Sequence, residues 1–227
     1  MVAIPIYLEV GARRVFACGL DWPGWSRGAR SEQQAIEALL ASAPRYAKAM
    51  GTSARGFGRP RTASDLKIVE RLKGDATTDF GAPGRPPKAD ARPLNTKETA
   101  RQVKLLRAAW AAFDRTATAT EGATLRTGPR GGGRDVTKMV AHVRDADGAY
   151  LNKLGGQAPK ADNFAEQMHV LREAIVEMVK LRARGEPPPP SKRPRDPSKL
   201  WAPRTFIRRS AWHALDHTWE IEDRIEP

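Results

Sequence analysis

The 227-residue chain has a single cysteine, Cys18, which excludes an internal disulfide framework and any multi-cysteine metal site and fits a reducing compartment. It also has no apolar run near the ~18 residues that a bilayer-spanning helix needs, so no membrane partner is expected. The opening MVAIPIYLEV places no basic segment before its apolar residues. No secretory leader is therefore expected, and the cytoplasm is the expected location. Acidic residues fall short of basic ones, 26 against 39, leaving a formal charge of +13. That surplus allows non-specific attraction to nucleic acid or other polyanions. Residues 1–94 carry 15 Lys+Arg against 9 Asp+Glu, so the charge is shared along the chain and does not form one basic arm.

The first third of the chain alternates. Residues 4–10 and 14–20 are short β-branched and aromatic runs separated by Gly11-Ala12, the pattern of a hairpin. Asp21-Trp22-Pro23-Gly24-Trp25 is a turn, with both tryptophans read as packing around it. Ser31 caps a helix through Ala35, Ile36, Leu39, Leu40 and Ala43, which Pro44 is expected to kink or stop. A further strand is expected near 66–72. Residues 79–94 contain four prolines and few apolar side chains, and are expected to form a stiff, solvated connector. The expected organisation is thus α+β: a small unit over 1–78, a proline-rich linker over 79–94, and a helical unit over 95–227.

Beyond the linker the apolar period becomes 3.6. Asn95 with Glu98 forms a capping-box pattern ahead of Val103, Leu106, Trp110 and Phe113. A second helix begins near Asp135 and ends at Gly155-Gly156. A third carries Phe164, Met168, Leu171, Ile175 and Met178 until Gly185 and the prolines at 187–190 stop it. A fourth spans about 204 to 224. Four amphipathic helices with one stripe each bury those stripes by packing together as a bundle.

His213 and His217 lie four apart in the fourth helix, so both imidazoles leave one face, the face that continues through Phe206, Ser210 and Ile221. Two unpaired imidazoles in a core would cost desolvation, whereas a shared cation uses both lone pairs. His142 borders the Met139/Val143/Ala146 stripe of the second helix and can supply a third ligand. His169 sits off its helix's stripe and reads as surface. Three imidazoles with an open position suit zinc or nickel. Asp145 and Asp216 are neighbours that could orient an imidazole, although solvated faces suit both better.

The segment DVTKMVAHVRDADGAYL, followed after a long gap by FIRRSAWHALDHTWEIEDR, resembles the DinB/YfiT family of metal-binding four-helix bundles over residues ~95–227. That family places one histidine on the second helix and an HxxxH pair on the fourth, matched here by His142, His213 and His217. The resemblance implies a thiol-dependent transferase or isomerase, in which the metal activates a low-molecular-weight thiol such as mycothiol or bacillithiol towards an electrophile. Some members of the family have no assigned activity. The LDWPGW turn resembles that of the small HicB-like α/β fold, which implies an accessory or regulatory role for the front unit.

Other readings stay open. One is a non-catalytic, metal-binding stress-response protein. Another is a nucleic-acid-binding regulator using the front unit and the basic surface. A homodimer is compatible with either. The glycine-rich stretch 128–134 could cradle an anion at the following helix N-terminus, but lacks a Walker lysine and a dinucleotide fingerprint, and reads better as a connector. The basic segment 184–209 could meet phosphate or a thiol cofactor's carboxylates, with a solvated loop as the default. Cys18, in an apolar strand, reads as buried and not nucleophilic.

Overall fold

The computed structural model describes residues 3–128, 133–191 and 195–225. The anion-cradle reading of the glycine-rich stretch therefore falls largely on residues outside the described set, as do 192–194 of the basic segment.

The expected hairpin is present: β1 (Ile4–Val10) pairs antiparallel with β2 (Val15–Gly19), and β1 also pairs in parallel with β4 (Leu66–Lys73). Between β2 and β4 in the sequence comes β3 (Ser26–Ala29), which extends the sheet beyond β2 to give the order β3-β2-β1-β4. The sequence reading passes over β3. Its four residues, SRGA, have little strand preference, and their pairing with Val15–Cys18 holds them extended. Strand alternation sends Ile6, Leu8 and Ala17 into the main core and Tyr7, Phe16 and Cys18 into a smaller cluster.

Helix α1 (Glu32–Met50) is capped by the Ser31 hydroxyl, which accepts from the Gln34 N–H. It continues across Pro44, contrary to the expected stop. Pro44 is on the exposed side, where water can serve the carbonyl that the missing N–H leaves unpaired. Trp25 is 1% exposed and packs edge-on against Phe57, while Tyr46 hydrogen-bonds the Pro23 carbonyl. The two tryptophans of the turn are thus packing residues.

Residues 79–94 are not the solvated connector expected from their prolines. The short helix α2 (Ala76–Phe80) leads into them. The fully buried Glu9 carboxylate accepts from the N–H groups of Gly84 and Arg85 and from the Thr78 hydroxyl. Asp90, 2% exposed, pairs with Arg208 at 2.7 Å. Proline composition gave no sign of the two buried carboxylates that pin the segment down.

The remaining helices are α3 (Thr96–Ala119), α4 (Val136–Leu154), α5 (Phe164–Ala183) and α6 (Pro203–Arg224). The Asn95/Glu98 capping box closes reciprocally at the start of α3, and Gly155 ends α4 with φ +105°, a left-handed conformation that suits glycine. The four helices form a bundle in which α6 packs between α3 and α4, and α5 between α4 and α3. Phe164, expected in the α5 stripe, is 42% exposed and instead lies under the Arg144 guanidinium. Among the described residues no helix is long and apolar enough to cross a membrane.

Sheet and bundle share one apolar cluster, from Ile6 and Leu39 through Leu106 to Ile221. The turn at 21–25 sits against α6 so closely that a Cβ on Gly24 would meet the Leu215 side chain at 2.7 Å and the Ala211 carbonyl at 3.1 Å. The chain is therefore α+β, with the sheet buttressing the helix that carries two of the candidate ligands.

Candidate metal centre

His213 and His217 are each 6% exposed on the inner face of α6, on the stripe that includes Phe206, Ser210 and Ile221, all fully buried. His142 arrives from α4, half-buried at the cavity wall. Its Nε2 lies 3.2 Å from that of His213, and the His213 Nε2 lies 3.2 Å from that of His217. One ligand atom from each of the three falls within 4.8 Å of the others. His169 is exposed and takes no part.

Such distances can arise from hydrogen bonding or from a shared ion. A neutral imidazole Nε2 carries either a proton or a lone pair, never both. The Nδ1–H of His217 is engaged with the Glu220 carboxylate at 2.8 Å, which in the neutral ring turns the His217 Nε2 lone pair towards His213. His213 cannot then donate to His217 and also accept from His142 through the same nitrogen. With neutral rings, the two 3.2 Å contacts are incompatible as hydrogen bonds. Three lone pairs about one point resolve the conflict, since two nitrogens at ~2.0–2.1 Å from a tetrahedral ion stand about 3.3 Å apart. The group could hold a metal ion.

The surroundings keep His213 and His142 in the ligating form. Burial, reinforced by the neighbouring His217 and His142, holds His213 well below the ordinary imidazole value. Burial and His217 likewise lower His142. The Glu220 carboxyl is pulled down to about 2, first by its hydrogen bond with His217 and then by Arg224. Arg224, 4% exposed, donates to Glu220 at 2.8 Å and to the carbonyls of Arg126 and Arg134. Glu220 is thus fixed on both oxygens, the arrangement that orients a ligating histidine. His213 Nδ1, by contrast, is buried and has no partner among the described residues.

Sequence reasoning named the three histidines but missed Glu220. The signal was present, because an acid three residues after His217 shares its helix face. Asp145 instead pairs with Arg144, and Asp216 lies 3.8 Å from Arg27. Cys18 is 2% exposed, its Sγ 2.8 Å from the Ser26 hydroxyl, and burial pushes its thiol up to about 12.

The cluster opens onto a cavity of about 970 Å³ whose walls include Tyr150, Arg209, Trp212 and Trp219. The arrangement offers three imidazole nitrogens at one end of a roomy, partly aromatic chamber. No protein-family model matches the chain, and neither does any curated protein or any solved structure.

Proposed function

We propose that the chain is a metal-dependent enzyme that uses a low-molecular-weight thiol, in the manner of the DinB/YfiT-like bundles that its histidine pattern resembles. The observation that carries this reading is the meeting of three imidazole Nε2 atoms, from two bundle helices, at the edge of a cavity large enough for a cosubstrate. His142, His213 and His217 are the residues that would hold Zn²⁺ or Ni²⁺. Such an ion, when bound, supplies the Lewis acidity that lowers a thiol's pKa towards neutrality.

The rest falls to the chain's own groups. Glu220 keeps the His217 proton on Nδ1 and its lone pair on Nε2. The rings of Tyr150 and Trp212 flank His213, with centroids at 5.8 and 6.2 Å, and reduce water access to it. Cys18 is sequestered in β2 with a raised pKa, so the thiol must arrive as a cosubstrate such as mycothiol or bacillithiol, with an electrophile beside it.

Two measurements test the reading. Metal analysis of purified protein should find about one ion per chain, lost in His213→Ala; an ion retained by that variant rejects the ligand assignment. Titrating mycothiol, bacillithiol or cysteine into cobalt-substituted protein should change its visible absorption. A spectrum silent to all three thiols rejects thiol chemistry and leaves a bundle stapled by a metal.

A further inference from the structure

Among the described residues five arginines line the cavity at the three imidazoles, and they are of two kinds. Arg27, Arg45 and Arg224 each stand within ion-pair distance of a carboxylate, on Asp216, Glu222 and Asp223, and Glu220 respectively. Arg134 and Arg209 have no carboxylate partner among the described residues. Arg209 donates from Nε to the Tyr150 hydroxyl at 3.2 Å and from Nη1 to the Pro83 carbonyl at 2.7 Å, both neutral acceptors. Its guanidinium lies over Trp212 at 4.8 Å and Tyr150 at 5.6 Å, the same two rings that flank His213.

A half-buried guanidinium held this way has a fixed orientation and an unbalanced charge. Stability alone does not explain it, since removing a charge from water without a counter-charge is costly. An anion beside it would supply the missing charge and accept from the remaining N–H groups in the fork geometry that suits carboxylate and phosphate.

We propose that Arg209, assisted by Arg134, binds the anionic group of a small acid, a carboxylate or a phosphate, whose apolar part lies along Trp212 and Tyr150 beside the three imidazoles. This deepens the reading above by naming a substrate class and rests on its premise that this cavity is the working site. The anion contact itself does not depend on a metal.

The test is calorimetric titration of chelator-treated and zinc-loaded protein with three probes: 3-phenylpropionate, phenyl phosphate and the neutral 3-phenylpropionamide. At least one anion should bind both forms at millimolar concentration or tighter, with the amide clearly weaker. Arg209→Gln should weaken anion binding about tenfold or more, as expected for loss of a charge-assisted contact. Arg209→Lys should restore part of it, and Arg134→Gln should weaken it less, with cooperative unfolding confirming that each variant is folded. His142→Ala should lose zinc yet keep the anion, which separates this inference from the metal assignment. The inference is overturned if no probe binds, if the amide binds as tightly as the anions, or if Arg209→Gln leaves anion affinity unchanged. Anion binding that requires zinc and ignores Arg209 would place the anion on the metal, overturning this inference while sparing the reading it rests on.

Discussion

His217 and Glu220, three residues apart on α6, are joined at 2.8 Å through Nδ1–H and Oε2, and the other Glu220 oxygen is joined at 2.8 Å to Arg224. The pair fixes which nitrogen of His217 faces His213. It also ties the candidate centre to the end of α6 and, through the Arg126 and Arg134 carbonyls, to the approach to α4.

Removing that carboxylate should therefore weaken metal binding without removing a ligand. For Glu220→Ala we expect a loss of affinity on the order of 10–100-fold, as for other groups that orient a ligating histidine. Glu220→Gln, whose amide oxygen can still accept from Nδ1–H, should lose less. Competition with a chromophoric chelator measures both, and an alanine variant with wild-type affinity would show that Glu220 does not orient the ring.

A metal held between α4 and α6 also staples the bundle. With free Zn²⁺ at 100 times its dissociation constant, binding to the folded state should add about 2.7 kcal/mol. For a chain of this size that corresponds to a rise of about 5–11 °C in the unfolding midpoint. Thermal denaturation of chelator-treated protein with and without Zn²⁺ or Ni²⁺ checks this. His142→Ala, which removes the only ligand from α4, should abolish the shift; a full shift in that variant would detach the ion from this cluster.

The long helices and the Ser31 and Asn95 caps were legible in the sequence because both signals are local. Asn95 and Glu98 sit three residues apart, and His213 and His217 four apart, so spacing alone placed each pair on one helix face. Pairings that cross the chain were not legible. Strand β3 exists because β2 holds it, Glu9 is buried because Gly84, Arg85 and Thr78 close over it, and Asp90 meets Arg208 across 118 residues. The orphaned charge of Arg209 was hidden in the same way, since only the folded chain shows which arginines find carboxylates.

Asp147 should make stability depend on pH. It is 1% exposed on α4, with one oxygen accepting from the Ser210 hydroxyl at 2.6 Å and the other without a hydrogen bond among the described residues, and burial raises its carboxyl from 3.8 to about 7. Between those values the folded chain holds a proton that the unfolded chain has released, so this group's contribution falls as pH rises through the window and is lost above about 7. The full span corresponds to on the order of 4 kcal/mol. Asp147→Asn cannot ionise and should gain on the wild type steadily from pH 4 to about pH 7, then level off, in urea unfolding. Parallel stability curves for the two proteins would mean that Asp147 titrates normally.

The Asp90–Arg208 pair tests whether residues 79–94 belong to the folded body. Arg208 uses Nε and Nη2 on the Asp90 carboxylate and Nη1 on the carbonyls of Gly19 and Leu20, so one guanidinium joins the proline-rich segment, the end of β2 and α6. Asp90→Ala would strand that guanidinium without its counter-charge, at a cost of about 3–5 kcal/mol. Asp90→Ala combined with Arg208→Leu should recover part of the loss, because an apolar pair of similar volume leaves no orphaned charge. Urea denaturation followed by circular dichroism reads all three proteins. A loose tether would lose nothing on Asp90→Ala, whereas a pinned segment requires both the large single-variant loss and its partial recovery in the double variant.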